Sequence, residues 1–561
     1  MKKNTLFLLL FPLLSACGGS DAPAQPAVTS PTPVVTAPTE TPAVTPPASQ
    51  PDTPTITPPT AQPDTPAETP PDAPAAPRVI RSDFTLEQAC ADVDELTCGF
   101  LEVPLDHHRP EGTRIEILYG VHKAEDPAQR IGTLMFNYGG PGLAGVSSLN
   151  SLLDGLPLEI RQRFDLVSFD PRGTGFSALG VALRTCQLTE RPQDVSEQGV
   201  GEALYAQAEQ WLGVMTGAFT REARTRHTLP QLEIVRRCAP VLDAYAPYLG
   251  SNSVVQDMEL LRQHLGENAL NFVGYSYGTR LGALYAERYP QHLRALILDS
   301  TMSPSQPDID RVLLGQSSGW KTILEQRQPE ATRQQLARIG ETVLSQGVYV
   351  ANDGARVDTR VWVPMLEQLI SDEEGAERLR PMLDKLLQQD LGAELVAYMQ
   401  SDRANSSAYR SALEDVMAYP LQAAVMCSDQ GRDLTLAEID ALANDFEQSS
   451  IAGAKLHAMS YLCADWQRHR DPIPLLANLD QQLTEQQKVL IIGGSLDFAT
   501  PLAWSRQMKA AFGPRAHLVE QQGVVHHGFS LDADYPCVTR IAVDYLLEPT
   551  SLPRESICQA P

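Results

Sequence analysis

The sequence predicts an α/β fold, a mostly parallel sheet wrapped by helices on both faces, with a helical cap inserted before the last strands. Three observations carry this expectation. Short apolar runs suited to buried parallel strands (Leu134 to Asn137, Leu166 to Asp170, Ala269 to Val273, Ala295 to Leu298) alternate with helical patterns. One of these runs leads directly into a Gly-x-Ser-x-Gly turn at Gly274, Ser276 and Gly278 and then into a helix over Thr279 to Tyr289, the order strand, sharp turn, helix that a nucleophile elbow requires. From Pro304 to Leu479 the periodicity is helical, as in Leu336, Ile339, Val343 and Leu344, before strand character returns at Val489 to Ile492.

The 561 residues, 43% of them hydrophobic, are enough for two or three domains and a large core. A formal charge of −25 with no cluster of Lys and Arg excludes nucleic acid as a partner, because phosphate binding needs such clusters. At the N-terminus, Lys2 and Lys3 precede an apolar run from Leu6 to Leu14, a signal peptide by charge and length. The run ends in Leu14, Ser15, Ala16, Cys17, which resembles the bacterial lipobox. That resemblance implies cleavage before Cys17, lipidation of Cys17 and, with Gly18 following it, an outer-membrane location in the cell envelope. Residues 18–78 are rich in Pro, Thr, Ala and Asp without apolar periodicity and read as an extended tether, reaching roughly 190 Å at ~3.1 Å per residue.

Eight further cysteines in an exported chain suggest disulfides, and pairing of sequence neighbours is expected: Cys90 with Cys98, Cys186 with Cys238, Cys427 with Cys463, Cys537 with Cys558. No CxxC is present, so a zinc or thioredoxin-like reading lacks its minimal spacing.

The folded part begins at Val79, and the domain map is residues 79–303 as the first part of the core, 304–479 as the cap and 480–561 as the second part. Cys98 to Leu105 and Arg114 to Val121 read as antiparallel edge strands, the second with Ile115, Ile117 and Tyr119 alternating against Glu116 and Leu118. The strand at Leu134 to Asn137 ends in Tyr138, Gly139, Gly140, Pro141, Gly142, small residues that let the main chain approach an oxyanion. The next strand ends in DPRGTGFSA, Asp170 to Ala178, whose Gly173, Gly175 and Ala178 fit a dinucleotide fingerprint. That reading is rejected, because Arg184 to Gln198 is polar, contains Pro192 and supplies no following strand. The loop is expected instead to pack under the active site, fixed by Asp170 and Arg172.

Ser253 to Leu265 is an amphipathic helix, with Val254, Met258, Leu261 and Leu265 on one face and Gly266 as its stop. The glycines flanking Ser276 suit a strained turn that throws the hydroxyl outward, and the serine lands at a helix N-terminus that favours developing negative charge. A serine hydroxyl needs a histidine to take its proton and an acid to orient that histidine, here in the chain order Ser, acid, His. Asp497 sits in a loop at the C-terminal end of the strand Val489 to Ile492, the place for the acid. The loop after the strand Ala516 to Val519 holds His526 and His527. His527, followed by Gly528, is chosen as base, with His526 open as the alternative. Adjacent histidines cannot easily face one ion, so no metal is expected.

CGFLEVPLDHHRP, NYGGPG, FDPRGTGFS, GYSYGTRLGALYAERYP, GGSLDFATP and the HG of VVHHGF resemble, in order, the tripeptidyl aminopeptidase and proline iminopeptidase family of α/β-hydrolases. The resemblance covers the core on both sides of the cap. It implies Ser276 as nucleophile, Asp497 as orienting acid, His527 as base, an oxyanion hole of the N–H groups of Tyr277 and the Gly139, Gly140 pair, and cap cysteines at Cys427 and Cys463. Tyr138 departs from the family's usual glycine, proline or histidine, and the usual GxGH around the base reads GVVH or VVHH here. The implied activity is removal of one residue or a short peptide from the free N-terminus of peptide substrates, without cofactor or protein partner. Such a reaction needs a carboxylate on the cap to meet the substrate ammonium; the cap is rich in acids, and Asp429, just after Cys427, is a candidate. An esterase or lipase with the same triad, or a non-catalytic envelope lipoprotein, are the alternatives.

Overall fold

The computed structural model describes residues 78–559 apart from 94, 189–219, 372, 402–418, 451–452, 467, 527–529, 533 and 551–555. The signal peptide, Cys17 and nearly all of the tether lie outside the described residues. Twelve strands are defined among the described residues: β1 (Val79–Ile80), β2 (Thr97–Pro104), β3 (Arg114–His122), β4 (Gly132–Asn137), β5 (Phe164–Phe169), β6 (Leu270–Tyr275), β7 (Leu293–Asp299), β8 (Val348–Val350), β9 (Arg356–Asp358), β10 (Val489–Gly494), β11 (Ala516–Gln522) and β12 (Ile557–Gln559). Ten of them form one sheet in the order β1-β3-β5-β4-β6-β7-β10-β11-β12, with β2 paired to β3.

From β5 to β12 every neighbouring pair is parallel, while β3 runs antiparallel to both β2 and β5. The expected class and the antiparallel edge are therefore both present. The apolar runs are continuous because each strand is buried on both faces. Phe272, Leu296 and Ile491 belong to one core, and their neighbours Val273, Ile297 and Ile492 to the other.

The helix before the elbow runs over Ser251–His264, and Gly266 follows with φ +74°, the left-handed stop its sequence suggests. From Ile309 to Ser460 the regular elements among the described residues are helices apart from the small hairpin of β8 and β9. The helical layer also draws on an earlier stretch, Arg221–Tyr245, which the sequence reading left unassigned. Arg221 and Arg224 both pair with Glu447, and Arg468 pairs with Asp243. All the folded residues belong to one compact unit.

Three of the expected disulfides are present: Cys186–Cys238, Cys427–Cys463 and Cys537–Cys558. The fourth expectation is corrected, because Cys90 and Cys98 are free thiols. Cys90 closes the short helix Leu86–Ala89 and Cys98 lies within β2. Both lie beside a small apolar cluster, where burial pushes their thiols up and keeps them protonated. Among the described residues no helix is long and apolar enough to cross a membrane.

Candidate active site

Ser276 stands between β6 and the helix Tyr277–Arg288 with φ 51° and ψ −120°, a strained conformation for a residue with a side chain. The surroundings hold it there. Its N–H donates to the carbonyl of Asp299 at 3.0 Å. A Cβ on Gly274 would lie 2.4 Å from the carbonyl oxygen of Gly278, and one on Gly278 would lie 2.4 Å from that of Asn137. Both flanking glycines are thus required by close backbone approach.

The loop after β4 lies against this elbow. A Cβ on Gly139 would lie 2.7 Å from the Tyr275 carbonyl oxygen, 3.1 Å from the Ser276 Cβ and 3.2 Å from the Tyr277 nitrogen. The Gly139 N–H, however, donates to Asn137 Oδ1 at 3.1 Å and is spent on the turn itself. Gly140, the other member of the expected pair, follows with φ +100°.

Asp497 follows β10, its side chain wholly buried. Oδ1 accepts from the N–H groups of Ala499 at 2.9 Å and Thr500 at 2.7 Å, and Oδ2 from the Thr500 hydroxyl at 2.7 Å. The histidine that meets it is His526, whose Nδ1 donates to Oδ1 at 2.9 Å. His527, chosen from the sequence as base, lies outside the described residues, and His526 is the alternative that the sequence left open. The contact follows from the register of two irregular loops. Leu496 N–H donates to Val524 O at 2.9 Å and Phe498 N–H to Val525 O at 3.1 Å, so the next ring along, that of His526, is delivered to Asp497.

Beneath the site, Asp170 is buried and accepts from the N–H groups of Val146 and Phe176, each at 3.0 Å; burial pushes its carboxyl up to about 6. Arg172, also buried, donates to Asp257 at 2.7 and 2.6 Å and to the carbonyls of Pro104, Leu105 and Tyr248. The two residues anchor the DPRGTG loop as its sequence suggested. Helix Ile309–Arg327 packs on the acid loop from above, with Gln316 Nε2 donating to Ala499 O at 2.9 Å.

Asp429 is not available to a substrate. It is fully buried, accepts from the Ser251 N–H at 2.8 Å and hydroxyl at 2.5 Å, and faces Arg280 at 3.5 Å. Burial pushes its carboxyl up to about 6 against the pull of Arg280. The same Ser251 hydroxyl lies 2.7 Å from the Tyr277 hydroxyl, so Asp429 ties the cap to the residue after the nucleophile. Sequence reasoning also passed over Thr500, noted only as following the acid; its spacing of three from Asp497 is the signal that a turn hydroxyl returns to the carboxylate.

Residues 132–334 match the family described as alpha/beta hydrolase fold, and residues 449–558 the family described as TAP-like protein. Over 222 residues the chain is 32% identical to serine protease Hip1 of Mycobacterium tuberculosis, a match spanning 38% of each chain. It is 28% identical over 243 residues to the tripeptidyl aminopeptidase of Streptomyces lividans, spanning 42% of each. With carboxylesterase B of Mycobacterium tuberculosis it shares 29% over 280 residues, 48% of each. The chain thus spans less than half the length of these relatives.

Proposed function

We propose that this chain, which has the α/β-hydrolase fold, is a serine peptidase acting on the free N-terminus of peptides through Ser276, His526 and Asp497. The observation that carries the reading is the contact of His526 with a buried, fully hydrogen-bonded Asp497, in the chain order that follows a strained serine. In the proposed reaction the ring of His526, held by Asp497 through Nδ1–H, takes the Ser276 proton on Nε2. Ser276 Oγ then bonds to the substrate carbonyl carbon. The resulting oxyanion is met by the N–H groups of Tyr277 and Gly140. His526 returns the proton to the departing amine, and water repeats the sequence on the acyl-enzyme.

The relatives named as a serine protease and a tripeptidyl aminopeptidase support an amide substrate. The carboxylesterase-named relative supports an ester as the second reading. The aminopeptidase reading requires a carboxylate for the substrate ammonium, and the burial of Asp429 moves that role to another cap acid. Unblocked aminoacyl and tripeptidyl amides should be cleaved with a much higher kcat/KM than their N-acetylated forms. Equal values would overturn the aminopeptidase reading. Preference for short-chain esters would favour the esterase, and inertness to both with no fluorophosphonate labelling would favour a non-catalytic binding protein.

A lipid anchor on Cys17 in the cell envelope is part of the same proposal, supported by the Leu14 to Cys17 sequence and by disulfides that suit an oxidising compartment. Cys17→Ala should move the protein out of the membrane fraction. Retention there would remove the anchor.

A further inference from the structure

Three ring planes lie parallel beneath the oxyanion loop. Phe136 and Tyr138 stack with centroids 6.0 Å apart and planes 4° apart, and Tyr138 and Tyr275 with centroids 5.7 Å apart and planes 4° apart. The sheet explains the arrangement. The register of β4 against β6 pairs Phe136 with Val273 and Asn137 with Gly274, so the next step sets Tyr138 beside Tyr275. The stack therefore prolongs cross-strand pairing one residue beyond the last ladder pair. Adjacent residues are paired with adjacent residues: the Tyr138 ring lies on the ring of Tyr275, and Gly139 lies against the Tyr275 carbonyl, the Ser276 Cβ and the Tyr277 nitrogen.

The loop needs such a hold. Gly139, Gly140 and Gly142 have φ of +97°, +100° and +117°, a run of residues with little backbone preference of their own. Tyr138 is 4% exposed and its hydroxyl has no hydrogen-bond partner, so its ring alone makes the contact. Tyr275 in turn lies close to the histidine loop, its hydroxyl 3.5 Å from that of Ser530. The Ser530 N–H donates to the Asp299 carboxylate at 3.0 Å, and the Asp299 carbonyl holds the N–H of Ser276.

We infer that Tyr138 is a positioning residue, whose ring, clamped between Phe136 and Tyr275, fixes the Gly140 N–H at the oxyanion position. This rests on the serine-hydrolase reading above. The ring acts and the hydroxyl does not, which separates this role from a hydrogen-bonding one. It acts on the transition state, so kcat should respond while KM does not.

The test compares wild type with Tyr138→Phe, Tyr138→Leu and Phe136→Leu in kcat and KM on an unblocked peptide amide, and in inhibition by a peptide aldehyde, whose adduct with Ser276 places an oxyanion in the same hole. Tyr138→Phe should stay within about twofold, whereas Tyr138→Leu should lose roughly 10–100-fold in kcat and in aldehyde affinity with KM within about twofold. Phe136→Leu, which removes only the outer ring, should fall between them and carries the test if Tyr138→Leu does not fold. The inference is overturned if Tyr138→Phe falls as far as Tyr138→Leu, or if Tyr138→Leu or Phe136→Leu keeps wild-type kcat. A loss appearing in KM instead would overturn it equally. Wild-type protein inert to amide and fluorophosphonate would mark failure of the hydrolase reading itself.

Discussion

Replacing His526 and His527 separately by alanine tests which of the two serves as base. Asp497 Oδ1 receives three hydrogens, from Ala499, Thr500 and the ring of His526, and Oδ2 receives the Thr500 hydroxyl. Removing the ring leaves three of these four contacts, so the fold should lose no more than about 2 kcal/mol, the scale of one charge-assisted hydrogen bond. The chemistry should lose far more. Without a base the Ser276 hydroxyl keeps its proton, and kcat should drop about 10⁴–10⁶-fold, equivalent to about 5–8 kcal/mol of transition-state stabilisation. His527→Ala should cost less than about tenfold if His526 is the base, because the ring held by Asp497 is then untouched. Steady-state turnover together with the rate of fluorophosphonate labelling reads both. A His527→Ala protein that is dead beside an active His526→Ala protein would refute the loop register from which the assignment is derived.

Thr500→Val removes one donor from the acid while leaving its backbone donors in place, and should lower kcat by about tenfold with little change in KM; an unchanged kcat would mean that the hydroxyl does not orient Asp497. Arg172→Met strands a buried Asp257 and three carbonyls, so the urea midpoint should report a loss of about 3–5 kcal/mol, and a neutral result would show that the DPRGTG loop is held by packing instead. Burial lowers His457 to about 4, and its ring accepts from Arg224 and donates to Ile439 O. The folded state then binds fewer protons than the unfolded one between about pH 4 and 6.5, so this group's stability is complete above the upper value and declines by about 3 kcal/mol towards the lower. Urea melts of His457→Gln across that range should lack this part of the slope, and a wild-type slope in the variant would contradict it.

The elbow was legible because two independent signals coincide there, a buried strand's apolar run and glycines that close backbone contact demands. The parallel sheet was legible for a similar reason, since strands buried on both faces read as unbroken apolar runs. The ring that meets Asp497 was not, because its place in an irregular loop is set by hydrogen bonds from Leu496 and Phe498 to Val524 and Val525, far away in sequence. Asp429 was a candidate only by its place after Cys427, and its burial against Ser251 and Arg280 is set by residues far away in sequence. The joining of Arg221–Tyr245 to the helical layer depends on ion pairs to Glu447 and Glu341, which local periodicity does not contain. Cysteine spacing gave three bonds and failed at Cys90 and Cys98, where proximity in sequence was matched by contact in space but not by a bond.

Fluorophosphonate labelling of the wild-type protein and of Ser276→Ala, followed by mapping of the modified residue, tests the central claim most directly. The wild type should carry one adduct, on Ser276, and the variant none. Labelling that persists in Ser276→Ala, or an adduct mapped to another residue, would contradict the account.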